Sequence, residues 1–378
     1  MKPSDSWKHL VPEHLRKLGA YTPGKPIKQA ERESGVRCIK MASNENPFGP
    51  SPQALEAMRA AAATTNFYPD NDATELRHRL AERNQLEPDQ VLVTDGSTVL
   101  LDLIARTLLA PSLNAVTSAR SFIVYLIATR AAGAELIEVA MDGDGYDLDA
   151  IADAVNEDTR VIYLANPNNP TGTLFDAAGT DRFLARVPAS VFVVLDEAYA
   201  DFANHFARQR NVDYSHSLDY VREGRPVIVL RTFSKAHGLA GVRVGYGFGP
   251  PEILAYLERL RTAFSVSAVA EAAALAALDD TDHIRKTLEN NESGAEFLMA
   301  KLKELGYQPV PTWANFIYFD AGPGAAALAK RIQAEGVIVR SLVPWGIPTA
   351  LRVTIGAPEH NERFIAALAK ASDRASVR

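Results

Sequence analysis

The sequence predicts an α/β fold: a large domain with a mostly parallel central sheet, and a smaller α+β domain beside it. Two observations carry that expectation. Through the middle of the chain short apolar runs alternate with longer mixed segments, the rhythm of strand and helix in βαβ units. Two of the runs, Val191-Phe192-Val193-Val194-Leu195 and Val227-Ile228-Val229-Leu230, are continuous rather than alternating, which suits strands covered by helices on both faces.

In chain order, residues 1–40 carry Pro12, Pro23, Gly24 and Pro26 and read as an extended arm that also supplies part of the small domain. Residues 41–264 form the large domain, with strands expected at 91–94, 136–139, 161–164, 191–195, 227–230 and 242–248. An apolar-periodic helix begins near Val99. From 265 the texture changes to an Ala-rich helix over 268–278 and a charged helix ending near Leu305-Gly306. Strands at 316–319 and 351–355 flank a helical segment at 325–335, so 265–378 reads as the small domain.

Composition narrows the function classes. A chain of 378 residues that is 47% hydrophobic can bury one large core or two unequal ones. A net charge of -6 argues against a broad grip on nucleic acid or an anionic membrane, so any anion must be met by a few local cations. Cys38 is the only cysteine, which rules out an intramolecular disulfide and points to a reducing compartment, the cytoplasm by default. The first fifteen residues mix charges with few apolar neighbours, unlike a secretory leader, and no apolar run is long enough to span a membrane. No metal is expected.

Three motifs follow three of the apolar runs. Asn166-Pro167-Asn168-Asn169-Pro170-Thr171-Gly172 is rich in turn formers with free amides; alone it is equally well a tight turn. Leu195-Asp196-Glu197-Ala198-Tyr199 puts a carboxylate at a strand end, where an Asp often does no more than cap the next helix. The stretch from Arg231 to Arg243 sets Lys235 among Thr232, Ser234 and glycines, and a single Lys is usually a surface residue. Together the three strand ends deliver an amide, a carboxylate and an amine to one edge of one sheet, the edge where open α/β sheets bind ligands. Pyridoxal phosphate needs those groups. A nicotinamide site would need a glycine fingerprint opening a helix, whereas Gly241-Val242-Arg243-Val244-Gly245-Tyr246-Gly247 leads into a strand.

On these residues the chain resembles the fold type I, pyridoxal-phosphate-dependent aminotransferases, and within them the histidinol-phosphate aminotransferase family, over nearly its whole length. The resemblance implies that Lys235 is the Schiff-base lysine and proton carrier, that Asp196 partners the pyridine nitrogen, and that Asn169 and Tyr199 donate to the phenolic oxygen. It places Ser97, Thr98, Thr232, Ser234 and Arg243 around the cofactor phosphate, with Asp95-Gly96-Ser97-Thr98 opening a helix whose free amides suit an anion. Phe122 falls where the family stacks an aromatic, often Tyr, on the pyridine ring; a buried core Phe is the plain alternative. Asn44, in the block 43–50, and Tyr21 lie beside the substrate, and Tyr68 reaches a partner's cofactor phosphate, so a homodimer with shared sites is expected. Arg352 and Arg340 match the substrate-facing arginines, with the bulky Trp345 in the loop between them. The implied reaction is transfer of an amino group between histidinol phosphate and 2-oxoglutarate, both small molecules. Two alternatives share the cofactor motifs: an aromatic amino-acid aminotransferase and a decarboxylase of a phosphorylated amino acid.

Overall fold

A computed structural model of the chain describes residues 7–19 and 23–373. Its strands are β1 (Ile39–Lys40), β2 (Val91–Thr94), β3 (Asn114–Ser118), β4 (Glu135–Val139), β5 (Thr159–Ala165), β6 (Phe192–Asp196), β7 (Val227–Thr232), β8 (Gly245–Phe248), β9 (Gln308–Pro309), β10 (Phe316–Asp320), β11 (Val337–Ile338), β12 (Arg340–Ser341) and β13 (Ala350–Thr354). The large sheet runs β2-β8-β7-β6-β5-β3-β4; only β8 opposes its neighbours, so the sheet is mostly parallel as expected.

The continuous apolar runs have the cause proposed for them. Along β6, Val193 and Leu195 enter one core while Val194 enters another, and along β7 Val227 and Val229 part in the same way from Ile228 and Leu230. Successive side chains of a strand point to opposite faces, so a strand with helices above and below must be apolar at every step. A second core lies under the four-stranded antiparallel sheet β12-β13-β10-β9, built from Ile317, Phe319, Leu351 and Val353 with Leu298, Leu302, Phe364 and Leu368 of two helices.

The structure departs from the sequence reading in four places. Strand β3 was not anticipated. The strand expected from 242 starts at Gly245, because Arg243 has φ +61° and cannot extend a strand. The region read as an extended arm contains the helix Ile27–Ser34, and β1 pairs in parallel with β11. The Ala-rich helix Ala268–Asp279 buries Ala270, Ala273, Ala274 and Ala277 in the large-sheet core, so the change of texture at 265 is not a change of core. Among the described residues no helix is long and apolar enough to cross a membrane.

Candidate active site

The C-terminal ends of β5, β6 and β7 open into a cavity of about 340 Å³. Ser97, Thr98, Phe122, Asn169, Asp196, Tyr199, Thr232, Ser234, Lys235, Arg243, Asn44, Arg340 and Arg352 all line it, which is the set expected from sequence apart from two tyrosines. Tyr21 lies outside the described residues. Tyr68 is 83% exposed and away from the cavity, its ring 4.7 Å from that of Phe264.

Asp196 ends β6 and is buried. One of its oxygens accepts from the Tyr125 hydroxyl at 2.9 Å and the other from the Ala198 amide at 3.2 Å. Burial pushes its pKa up to about 6, against the opposing pull of the Tyr125 hydrogen bond, the Ala198 amide and the Lys235 charge. Lys235 follows β7, half-buried, with Nζ 3.3 Å from the Ser43 carbonyl and 5.6 Å from the centre of the Tyr199 ring. Burial lowers its pKa to about 8, with Arg352 and Arg243 acting in the same direction and Glu45 and Asp196 against it. A buried carboxylate and an amine that gives up its proton more readily than an ordinary lysine therefore share one small volume.

At the β2 edge the helix Ser97–Leu108 presents its N-terminus to the cavity, with Gly96 at the cap and no side chain capping it. Uncapped amides at a helix start are an anion site. Two glycines make room for it. Gly96 has φ +119°, and a Cβ there would come within 2.3 Å of Arg243 Nη2; a Cβ on Gly245 would come within 2.3 Å of the Ser97 nitrogen. The Thr232 hydroxyl donates to Ser234 Oγ at 3.0 Å and accepts from the Ser234 amide at 3.1 Å, so the two hydroxyls form one unit. Overall Lys40, Lys235, Arg243, Arg340 and Arg352 line the cavity against Asp196 and Glu45. In a chain of net charge -6 that excess of cations marks a site for a ligand with several negative charges.

Residues 36–368 match the family model of the class I and II aminotransferases. The chain belongs to that family. Within it, a curated relative from Pseudomonas aeruginosa, histidinol-phosphate aminotransferase 2, is 46% identical across 96% of this chain and 97% of its own. A histidinol-phosphate aminotransferase from Akkermansia muciniphila is 42% identical across 94% of this chain and 97% of its own. Among solved structures, the histidinol-phosphate aminotransferase of Sinorhizobium meliloti in complex with pyridoxal-5'-phosphate superposes with a TM-score of 0.87 at 27% identity, covering 97% of this chain and 98% of that one.

For a member of this family the donor set fits pyridoxal phosphate: an amine for the aldehyde, a buried carboxylate for a ring cation, hydroxyls, amides and a guanidinium for the phosphate, and Phe122 as a flat wall. Phe122 sits edge-on to Tyr125, 5.7 Å between ring centres at 89°, and Tyr125 stacks on Tyr163 at 4.9 Å. Among the polar cavity and support residues, Tyr125, Lys40, Ser43 and Glu45 were not anticipated. The 43–50 block was singled out, so Ser43 and Glu45 were within reach of sequence reasoning; nothing local points to Tyr125.

Glu45 sets a testable constraint on Lys235. Its carboxylate, paired with Lys40 at 2.6 Å, favours the protonated amine. Acylation of Lys235 in the apoprotein should rise with pH about a midpoint near 8, where an ordinary lysine needs a pH above 10. Glu45→Gln removes the charge that holds the proton, so the midpoint should move lower still and labelling at fixed neutral pH should speed up. Peptide mass spectrometry across a pH series reads both effects; an unmoved or raised midpoint in the variant would exclude Glu45 from that role.

Proposed function

We propose that the chain is a pyridoxal-phosphate-dependent aminotransferase that exchanges the amino group between histidinol phosphate and 2-oxoglutarate, giving imidazole acetol phosphate and L-glutamate. The observation that carries the substrate choice is the pair Arg340 and Arg352. They are opposite residues of the antiparallel strands β12 and β13, both buried and both lining the cavity. A phosphate monoester carries close to two negative charges, and two guanidinium forks match it better than one. Glutamate, with two carboxylates, meets the same pair in the other half of the exchange. The named relatives support the same reading. An aromatic amino acid would find Phe122 and Trp345 in the wall but would offer Arg340 no charge.

When bound, the cofactor supplies an electron-accepting ring joined to an aldehyde. The chain's own residues do the rest. Lys235 Nζ would hold the cofactor through its aldehyde, and the lowered pKa leaves more of this amine unprotonated, so that when free of the cofactor it can take a proton from the substrate Cα and give one back. Asp196, its oxygens aimed by the Tyr125 hydroxyl and the Ala198 amide, would hold the ring nitrogen and favour its protonated form. Asn169 and Tyr199 hold the phenolic oxygen. The start of the helix Ser97–Leu108, with Thr232, Ser234 and Arg243, holds the phosphate.

The active unit we assign is a homodimer in the cytoplasm. Phe67 and Tyr68 are 71% and 83% exposed, and the Tyr68 ring lies 4.7 Å from that of the exposed Phe264, large apolar side chains that a monomer would leave in water. Sedimentation velocity should give a species of twice the chain mass, and Tyr68→Asp should weaken it; a monomeric wild type at micromolar concentration would end this assignment.

Borohydride treatment of the yellow holoenzyme should fix the cofactor to the peptide containing Lys235. An adduct on any other lysine would remove Lys235 from the role. For the substrate, Arg340→Gln should lower kcat/KM for histidinol phosphate roughly tenfold to a hundredfold, the worth of one buried charge-assisted contact, while changing phenylalanine turnover much less. Arg352→Gln should impair both. A wild type that prefers phenylalanine would transfer the assignment to the aromatic aminotransferases.

A further inference from the structure

Arg340 and Arg352 leave their strands on one face, directly opposite each other, an arrangement in which like charges repel. Each is backed by an aromatic ring. Arg352 Cζ lies 5.1 Å from the centre of the Phe316 ring, and Arg340 Cζ lies 4.4 Å from that of Trp345. Arg352 is also fixed by donating to Asn169 Oδ1 and, at 2.9 Å, to the Ala42 carbonyl. Arg340 has the closer ring.

That ring is itself well held. Trp345 ends the 3-10 turn Val343–Trp345, its amide donating to the Leu342 carbonyl at 2.9 Å, and Gly346 turns the chain back with φ +72°. The indole packs on the small core of Tyr318, Leu342, Ile347 and Ala350 while also lining the cavity. A buried guanidinium resting on a held indole gives up less conformational freedom when it meets an anion than one without that support, and the indole face attracts the cation.

We propose that Trp345 is the positioning residue that fixes Arg340, and through it sets the preference for a phosphorylated over an unphosphorylated amino donor. This rests on the function proposed above and goes further, because it assigns the discrimination to an aromatic side chain that carries no charge of its own. A cation–π contact of this kind corresponds to roughly twofold to thirtyfold in affinity.

Trp345→Leu removes the ring, and Trp345→Phe keeps a smaller one. In holoenzyme assays Trp345→Leu should lower kcat/KM for histidinol phosphate on the order of tenfold, mainly through KM, and that for phenylalanine no more than about threefold. Trp345→Phe should recover part of the loss. In an Arg340→Gln background the same Trp345 substitutions should add almost nothing, which a merely structural role would not produce. If Trp345→Leu fails to fold, Trp345→Phe and Trp345→Tyr carry the comparison. Equal losses on both donors, a larger loss on phenylalanine, or additivity with Arg340→Gln would overturn the proposal. Isothermal titration of inorganic phosphate into the wild-type and Trp345→Phe holoenzymes separates it from the substrate assignment. Weaker phosphate binding in the variant supports positioning whichever amino acid proves best, and unchanged binding overturns it even if histidinol phosphate is the substrate.

Discussion

Asp196 and Lys235 stand at the ends of neighbouring strands, β6 and β7, and burial acts on them in opposite senses. It resists the negative charge of one and the positive charge of the other, moving the first up to about 6 and the second down to about 8. Much of the surrounding structure limits what that desolvation costs. Glu197, next in sequence to Asp196, would add a second buried carboxylate beside the first. Arg231 meets it with two nitrogens, at 2.8 and 3.0 Å, and the Ser215 hydroxyl donates to its other oxygen at 2.7 Å. With that neighbour neutralised, Asp196 remains the one carboxylate on β6 that faces the cavity. Burial still penalises its charge, a penalty that a cation brought into the cavity would relieve.

The segment from Met41 to Asn46 joins this volume to the second core. Its main chain joins two small sheets: the Met41 amide donates to the Ile338 carbonyl of β11, which pairs with β1, and the Met41 carbonyl accepts from the Thr354 amide of β13, each at 2.8 Å. Two residues later the direction changes. The Ser43 carbonyl accepts from Lys235, the Asn44 amide group donates to the Tyr199 hydroxyl at 2.8 Å, and the Asn46 amide group donates to the Ala236 carbonyl at 2.8 Å. Asn44 does this from φ +57°, a conformation Asn tolerates better than most residues. One short segment is therefore bonded to the strand that carries Arg352 and to the loop that carries Lys235. The strand of Arg352 and the loop of Lys235 are thus tied to a common part.

How much of this is legible in the sequence depends on whether a residue's role is local. The buried strands β5 to β7 are, since a strand with two covered faces must be apolar at each position. Strand β3, Asn-Ala-Val-Thr-Ser, is equally buried but half polar. Its polar groups are satisfied across the sheet: Asn114 donates to the Asn156 side chain and accepts from the Thr159 hydroxyl, Thr117 donates to the Tyr163 carbonyl, and Ser118 donates to the Val139 carbonyl. No pattern within five residues announces partners twenty to forty-six positions away. The helix Ile27–Ser34 was hidden differently. It buries only Ala30 and starts directly after Pro26, so it offers neither an apolar stripe nor a hydroxyl cap. Lys235, Asp196 and Asn169 are legible because three motifs share one sheet edge; Tyr125 is not, because its bond to Asp196 spans 71 residues.

The polarity of the site is set by groups that can only donate. Arg352 has no acceptor, so its bond to Asn169 fixes the amide with Oδ1 toward the guanidinium and Nδ2 turned away from it. A second chain runs from the main chain. The Asn44 backbone amide donates to Thr354 Oγ1 at 2.9 Å, so the Thr354 proton passes to Asn44 Oδ1 at 3.2 Å. That orients Asn44 Nδ2 to donate to the Tyr199 oxygen. Both chains start at a fixed donor and run to a cavity residue, and the first leaves Asn169 Nδ2 turned toward donation. A phenolate or a carboxylate is stabilised by such an arrangement and a second donor is not. The preference for anions thus extends beyond the five cations in the wall to neutral side chains, whose orientation is decided by an arginine on β13 and a backbone amide at residue 44.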